Sequence, residues 1–503
     1  MQMSSRITKL KRNSLCALIY YVLLVISGFL LTGSYLRHYG SEAYGLSVSV
    51  AQFLSLIALC DMGVDAVISA ALYRALAEGD LRAVSRIMAF SRRFFGIIGL
   101  LLLVYVAALT LFYPSVTEGT FDRTYTVTLI LAMSISQFEQ FYLGMPNQIL
   151  LNADQRSYVP LAVSGVTLVV YTAVSAVLMA LGGSIQTVKL AGSLIYLARP
   201  AFLSVYVRKH YALDRNEKAS GDDVPQKLSS VVQHISYTVS SNTDVAVLTL
   251  CSSIDSVSVY SVYTMITGGV RSLIISATTG IQALFGNLIA NGEYKELNRV
   301  YSLYEWAVHT ATVFFYTVTG ILIVPFVTVY TKGINDAEYR NPGFAALITA
   351  AFAVMMLRDS GNFLIRAAGH FRQTRNASIT EALLNLGISV LLVRRLGLIG
   401  VAAGTLSAAL FFLFYQAWYF SKDILKRPAA IFLKQICLDA AQCGCMLLAT
   451  SGIRVSEKGY MDWFFSAITV GTICVAVSVA FQLLFFRHQT AMIKDAVNRH
   501  RKA

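Results

Sequence analysis

Long apolar runs dominate the chain, and short polar stretches separate them. A helix that crosses a bilayer needs about 20 mainly apolar residues. Fourteen segments meet or approach that length. The first seven are Ser14–Leu36, Tyr44–Leu72, Phe94–Tyr113, Thr124–Leu143, Pro160–Leu181, Ile185–Val207 and Val231–Cys251. The second seven are Val257–Leu284, Tyr304–Tyr330, Phe344–Ala367, Ile379–Val393, Leu398–Phe420, Ile431–Ser451 and Trp463–Phe485. The eleventh is short and opens near Glu381. The runs are apolar on every side, whereas the strands of a membrane barrel alternate polar and apolar residues. The expected fold is an all-α integral membrane protein of about 14 transmembrane helices.

Composition agrees with lipid as the main solvent. Of the 503 residues, 56% are hydrophobic and only 14% charged. Soluble domains carry roughly 25% charged residues, so this chain cannot coat a water-facing surface. That excludes a soluble enzyme, a disordered chain and a secreted disulfide scaffold. The net charge of +14 raises the question of nucleic acid. Its placement answers it. Fourteen spans leave both termini on one side, and that side holds more than three times as many Lys and Arg residues as the other. The positive-inside rule then puts both termini in the cytoplasm. The basic loops face anionic membrane lipid, and no nucleic-acid partner is required. The basic start MQMSSRITKLKRNS leads straight into the first span, which is too long for a signal-peptide core.

The chain repeats internally. AEGDLRAVSRI (Ala77 to Ile87) and ANGEYKELNRV (Ala290 to Val300) align 213 positions apart. They share Ala77/Ala290, Gly79/Gly292 and Arg86/Arg299. Leu181-Gly182 falls over Leu396-Gly397 at an offset of 215. Six spans per half is an even number, so the halves form a parallel repeat about an axis along the membrane normal. The expected organisation is an N-terminal six-helix bundle (1–210), a polar cytoplasmic linker (211–230) and a C-terminal six-helix bundle (231–425). Two additional helices (426–486) and a basic cytoplasmic tail (487–503) follow. Transporters of this plan hold substrate between the halves and rock one against the other.

Charge within a span costs a few kcal/mol and normally faces water or a partner. The charged positions are Asp61, Asp65, Lys189, Arg199, Asp244, Arg271, Arg358, Asp359, Arg366, Glu381 and Asp439. Arg199 and Arg271 sit near the centres of their spans. Arg358 accompanies them, while Lys189 and Arg366 are close enough to span ends to snorkel. A guanidinium stays charged and grips phosphate with two donors, so these five residues are the expected anion-binding set. The competing reading is a set of internal salt bridges that hold helices together. Asp61, Asp65 and Asp244 are the expected proton or sodium carriers. Pro200 follows Arg199, Gly268 and Gly269 precede Arg271, and Pro325 lies in the ninth span, so these four are the expected hinges.

Other chemistry is missing from the sequence pattern. The seven cysteines include no CxxC, and the seven histidines include no pair at ligand spacing. No Walker loop, HExxH or GxSxG occurs. No enzyme activity, metal or cofactor is expected, and energy must come from an ion gradient, the membrane potential or the substrate's own gradient.

Several stretches resemble the bacterial polysaccharide (O-antigen repeat-unit) transporter family, within the superfamily of multidrug and lipid II exporters. They are RHYGSEAYGL (Arg37 to Leu46), CDMGVDAVISA (Cys60 to Ala70), ILLNADQRSY (Ile149 to Tyr158) and SNTDVAVL (Ser241 to Leu248). EALLNLGISVLLVRRLGLIGVAAGTLSA (Glu381 to Ala408), with Asn385 and the series Gly397, Gly400, Gly404, is similar as well. The resemblance implies a flippase in the bacterial inner membrane. Its substrate would be an undecaprenyl-pyrophosphate-linked oligosaccharide for O-antigen, capsule or exopolysaccharide assembly, and a polysaccharide polymerase would be a partner. It implies alternating access around a cationic central cavity. The alternative is a drug or cation antiporter of the same fold, whose cavity should be acidic. A membrane scaffold without transport is a third reading.

Overall fold

The computed structural model describes residues 2–61, 64–117, 119–214, 217, 243–278, 281–487 and 489. The described residues contain helices and no strand. Two compact units divide the chain, Met1–Ser258 and Val259–Ala503.

The first unit opens with α1 (Gln2–Ser55), which bends at Gly40, where φ is 80°. The glycine of RHYGSEAYGL thus supplies the whole connection between the first two expected spans, because a left-handed φ favours a residue without Cβ. A short 3₁₀ turn (Leu56–Asp61) and α2 (Val64–Glu78) complete the second span. Then come α3 (Leu81–Val116), α4 (Arg123–Phe138), a π-turn (Glu139–Gly144), α5 (Met145–Ala153) and α6 (Tyr158–Ala180). α7 (Ile185–Tyr196), α8 (Ala198–His210) and α9 (243–251) follow. α1 packs along α6, and α4 along α7. α9 joins this unit, since Ser49 of α1 bonds Thr249 at 2.6 Å and takes a bond from Tyr113 at 2.6 Å. The compact division therefore falls after Ser258 and not at the polar segment 211–230. Most of that segment, the seventh span before Thr243 and all but two residues of the tail 487–503 lie outside the described residues.

The second unit takes up most of α10 (Ile254–Ala277), then α11 (Ile281–Ala290), α12 (Tyr294–Tyr330), α13 (Pro342–Ala368) and α14 (Phe371–Leu396). α15 (Leu398–Tyr419), a π-turn (Phe420–Ile424), α16 (Ala430–Thr450) and α17 (Tyr460–Phe485) complete it. α15 packs against both α13 and α14, and α12 carries the last two helices α16 and α17. Lipid removes the hydrophobic drive between helices, so packing and polar contacts must join them. Both occur here. Leu322, Met446, Val470 and Cys474 form a dry cluster. Trp306 donates to Gln482 at 2.8 Å, Gln482 to Thr310 at 3.1 Å, and Gln442 to Ser478 at 3.0 Å.

Ten helices among the described residues are long and apolar enough to cross a membrane. Fourteen spans were expected. α1 alone reaches through the first span and into the second. The second, fourth and eighth spans are divided into shorter pieces, and the seventh lies partly outside the described residues.

The repeat reappears as matching turns. Gly79 and Gly292 have φ of 72° and 73°. Gly79 N–H donates to Leu76, and Asp80 N–H to Ala75; Gly292 and Glu293 donate to Ile289 and Leu288 in the same way. Gln155 and Gly369, 214 positions apart, also match, with φ of 58° and 69° and equivalent backbone bonds to Asn152 and Arg366. At Gln155 the turn is held by its neighbours. Asn13 donates to the Gln155 carbonyl at 3.0 Å and accepts from Tyr158 N–H at 2.9 Å. Asp154 accepts from Tyr211 at 2.5 Å and pairs with Arg156 at 2.8 Å. This is the physical content of ILLNADQRSY. Burial, then the Asp154 carboxylate, holds the Tyr211 hydroxyl pKa well above the ordinary tyrosine range.

Two outcomes follow. Gly79→Ala and Gly292→Ala should each lower stability by about 1–2 kcal/mol, because a Cβ there meets no neighbour and only the left-handed φ opposes it. Gly→Asn at the same sites should cost less, read by unfolding in detergent micelles. Tyr211 is favoured in its protonated form by folding, so its contribution is present below about pH 10 and declines as pH rises from there. Tyr211→Phe should flatten that alkaline decline.

Candidate functional site

The expected basic residues of the sixth, eighth and tenth spans gather at two polar sites, one in each unit. In the first unit, two prolines create the site. Pro146 has no N–H, and its ring opposes the carbonyl of Tyr142 four residues earlier. The chain answers with the π-turn Glu139–Gly144 ahead of α5. Such turns inside helices often occur at functional positions. Pro200 does the same to the carbonyl of Tyr196, and α7 ends there. The expected sixth span runs continuously through Pro200. The structure puts it in the first turn of α8, where its missing N–H has no helical partner to lose.

The two breaks face one cavity of about 250 Å³, lined by Tyr20, Glu139, Gln140, Gln148, Ser164 and Arg199, among others. This is near the small end of the roughly 300–1,000 Å³ range of small-molecule pockets. Arg199 is half-buried and fixed from two directions. Its Nε donates to Thr167 Oγ1 at 2.8 Å, and its Cζ stands 4.1 Å from the Tyr196 ring centre. Tyr196 packs on Tyr171 at 5.2 Å, and Tyr171 bonds Tyr35 through their hydroxyls at 3.1 Å. Lys189 closes the chain, with Nζ 4.2 Å from the Tyr35 ring centre. The two basic residues expected in the sixth span thus stand at opposite ends of a three-tyrosine chain. A cation over an aromatic face is stabilised by about 0.5–2 kcal/mol without a carboxylate.

Glu139 is buried and lines the same cavity. Sequence reasoning missed it, because it sits only four residues from the end of the fourth span. The signal is Glu139 one turn and a half ahead of Gly144-Met145-Pro146, which marks a helix break near a charge.

The second unit handles charge differently. Arg271 of α10 directs Nε to Asp359 Oδ2 at 2.7 Å, with Nη2 on the same oxygen. Arg358 places Nε and Nη2 on Asp359 Oδ1 at 3.2 and 2.8 Å, and Nη1 on Glu381 Oε1. The network has two positive and two negative groups. Arg358 is 4% exposed. Such a cluster ties α10, α13 and α14 together and carries no surplus charge.

The other expected residues are separate from these sites. Arg366 is exposed in the last turn of α13. Asp65 is half-buried in the first turn of α2, where the helix dipole favours a carboxylate. Asp61 ends the 3₁₀ turn, with its side chain outside the described residues. Asp244 is buried near the start of α9. α10 runs unbroken through Gly268 and Gly269, and α12 through Pro325.

No protein-family model matches the chain, and no curated protein matches it in sequence. Solved structures do. The chain is similar to the lipid II flippase MurJ in its inward closed conformation, with a TM-score of 0.70 and 14% identity, over 95% of this chain and 99% of that one. It is similar to an inward-facing multidrug resistance MATE family transporter of the MOP superfamily, with a TM-score of 0.58 and 15% identity over 80% and 94%. The Vibrio cholerae MATE transporter VcmN in the bent form gives 0.54 and 14% over 83% and 99%. At these identities the likeness is one of fold. The chain is a multi-pass, all-helical membrane protein with the fold of these transporters.

Removing one member of a buried ion pair leaves a charge uncompensated, at a cost of about 3–5 kcal/mol. Asp359→Asn should therefore destabilise the protein by that amount in a detergent unfolding assay. Glu296→Gln, which opens the exposed Arg299 pair, should change stability by less than about 1 kcal/mol.

Proposed function

We propose that the protein is a flippase for a lipid-linked oligosaccharide in the bacterial inner membrane. The observation that carries this reading is Arg199, held on Tyr196 and Thr167 at the wall of a polar cavity between two proline-broken helices. Broken helices at membrane depth are where transporters of several folds bind substrate. A guanidinium fixed through Nε presents its remaining donors to a phosphate oxygen. Gln140, Gln148 and Tyr20 offer the mixed donors and acceptors that sugar hydroxyls require. The cavity fits a phosphate or a single sugar, so it captures the head of an undecaprenyl-pyrophosphate carrier while the remaining sugars extend outward. Lys189 prolongs the basic path along the tyrosine chain, and Arg366 meets lipid phosphate at its helix end.

The flipped unit would feed O-antigen, capsule or exopolysaccharide assembly, with a polysaccharide polymerase as the downstream partner. The fold similarity to a lipid II flippase supports this class, and the resemblance of RHYGSEAYGL and ILLNADQRSY to polysaccharide transporters supports the substrate. Export of a cationic drug is the second reading, and the buried Glu139 in the same cavity favours it.

Proteoliposomes carrying a fluorescent undecaprenyl-pyrophosphate-linked oligosaccharide separate the two. Arg199→Ala should slow its transfer between leaflets at least tenfold, about 1.4 kcal/mol of lost binding. Arg199→Lys should retain part of the rate. Unchanged transfer by Arg199→Ala at equal protein level, or loss of cationic dye export by Glu139→Gln alone, would refute the lipid-linked substrate.

A further inference from the structure

The second unit contains another buried charged cluster, with a different charge balance. α12 places Glu305 and His309 four residues apart, on one helix face. They are 8% and 2% exposed. Arg427, in the segment before α16, binds both Glu305 oxygens at 2.6 Å. Asp439 of α16 meets His309 Nδ1 at 2.5 Å and accepts from Gln435 at 3.0 Å.

The charges decide what this cluster can do. Arg427 contributes one positive charge, and Glu305 and Asp439 contribute two negative charges. With a neutral His309 the cluster holds one surplus negative charge. With an imidazolium it is balanced. An unbalanced charge inside a membrane protein is expensive, so a proton arriving at His309 removes the surplus. In the Arg271–Asp359–Arg358–Glu381 network the four formal charges cancel.

The surroundings allow a proton to reach the pair. A cavity of about 20 Å³ touches Glu305, His309, Gln416, Ser421 and Arg427. That is room for about one water molecule. Gln416 Oε1 is buried there without a protein partner among the described residues. The groups facing His309 from its neighbours are Asp439 of α16, Glu305 and Tyr301 of α12, and Arg427. What α13 and α15 turn to the cavity is uncharged, including Ser360 and Gln416, and α17 meets α12 through neutral Gln482.

We propose that His309 and Asp439, poised by Glu305 and Arg427, form a proton-binding site that couples transport to a proton gradient. The proton adds to the free imidazole nitrogen on uptake and leaves from it on release, and no other bond changes. The site joins α12 to α16, so the first of the two helices beyond the repeat contributes to energy coupling. Proton binding stands by itself; its role as driver rests on the transport reading.

The test uses the full chain in lipid nanodiscs, first without substrate. Nitrogen-labelled histidine spectra should show a step that His309→Gln removes. Glu305→Gln takes away a negative charge, so it should move that step to lower pH. Arg427→Gln should move it to higher pH. Proton release on an acid-to-alkaline jump, read with a pH dye, should fall by about one proton per chain in His309→Gln. If His309 keeps one protonation state throughout, or the step ignores both neighbouring substitutions, the site is refuted. A step governed by sodium concentration and not by pH refutes it too.

With the labelled lipid-linked oligosaccharide in proteoliposomes, an imposed proton gradient should accelerate wild-type transfer about tenfold and leave His309→Gln at its ungraded rate. A wild type that transfers the lipid but ignores the gradient overturns the coupling alone. A wild type that transfers none of it overturns the substrate assignment and leaves the nanodisc result standing.

Discussion

Unbalanced charge in hydrocarbon is the constraint from which this molecule's internal design follows. Every deep ionisable group must find compensation, and the described residues show three ways of providing it. Arg358 and Arg271 share carboxylates in a neutral four-member network. Lys189 and Arg199 rest on tyrosine faces. Glu305 and Asp439 divide one arginine and one histidine between them. The first holds helices together. The second sets a cation against an aromatic ring. The third pairs a histidine with a carboxylate beside an arginine–glutamate pair. One physical penalty, met in three ways, separates scaffold from candidate function.

The long apolar runs made the fold class legible, because a span's length follows from bilayer thickness and needs no tertiary knowledge. The recurring Gly79 and Gly292 turns were legible for a similar reason: a left-handed residue leaves a glycine in the sequence. Where the turn at Gln155 takes the same backbone form, the residue gives no such sign, and the contacts of Asn13 stand in for the missing glycine. The breaks in the second and fourth spans carry only local signs, Asp61 with Gly63 and Glu139 with Pro146, inside runs that are otherwise apolar.

The charged residues were legible as a set and not as pairs. Arg271 and Arg358 stood out as basic residues in spans, and so did Asp359 and Glu381. Which of them meet depends on helix rotation, which a single sequence does not state. Glu139 escaped notice because it lies close to a span end. His309 was visible only as an isolated histidine; its partner is 130 residues away. Proline acts differently from place to place. Pro325 leaves α12 continuous, while Pro146 and Pro200 set the turns that frame the cavity.

The π-turn at Glu139–Gly144 also fixes a phase relation. A turn closed from residue i to i+5 holds one residue more than an α-helical turn, so everything after it is rotated by about 100° relative to an uninterrupted helix. Gln148 owes its direction to that extra residue. Deleting one residue from the turn would set the Pro146 ring against a helical carbonyl again and would swing the downstream side chains onto a different azimuth. The local irregularity therefore works as an indexing device, with the preceding helix setting the angular address of the residues beyond it.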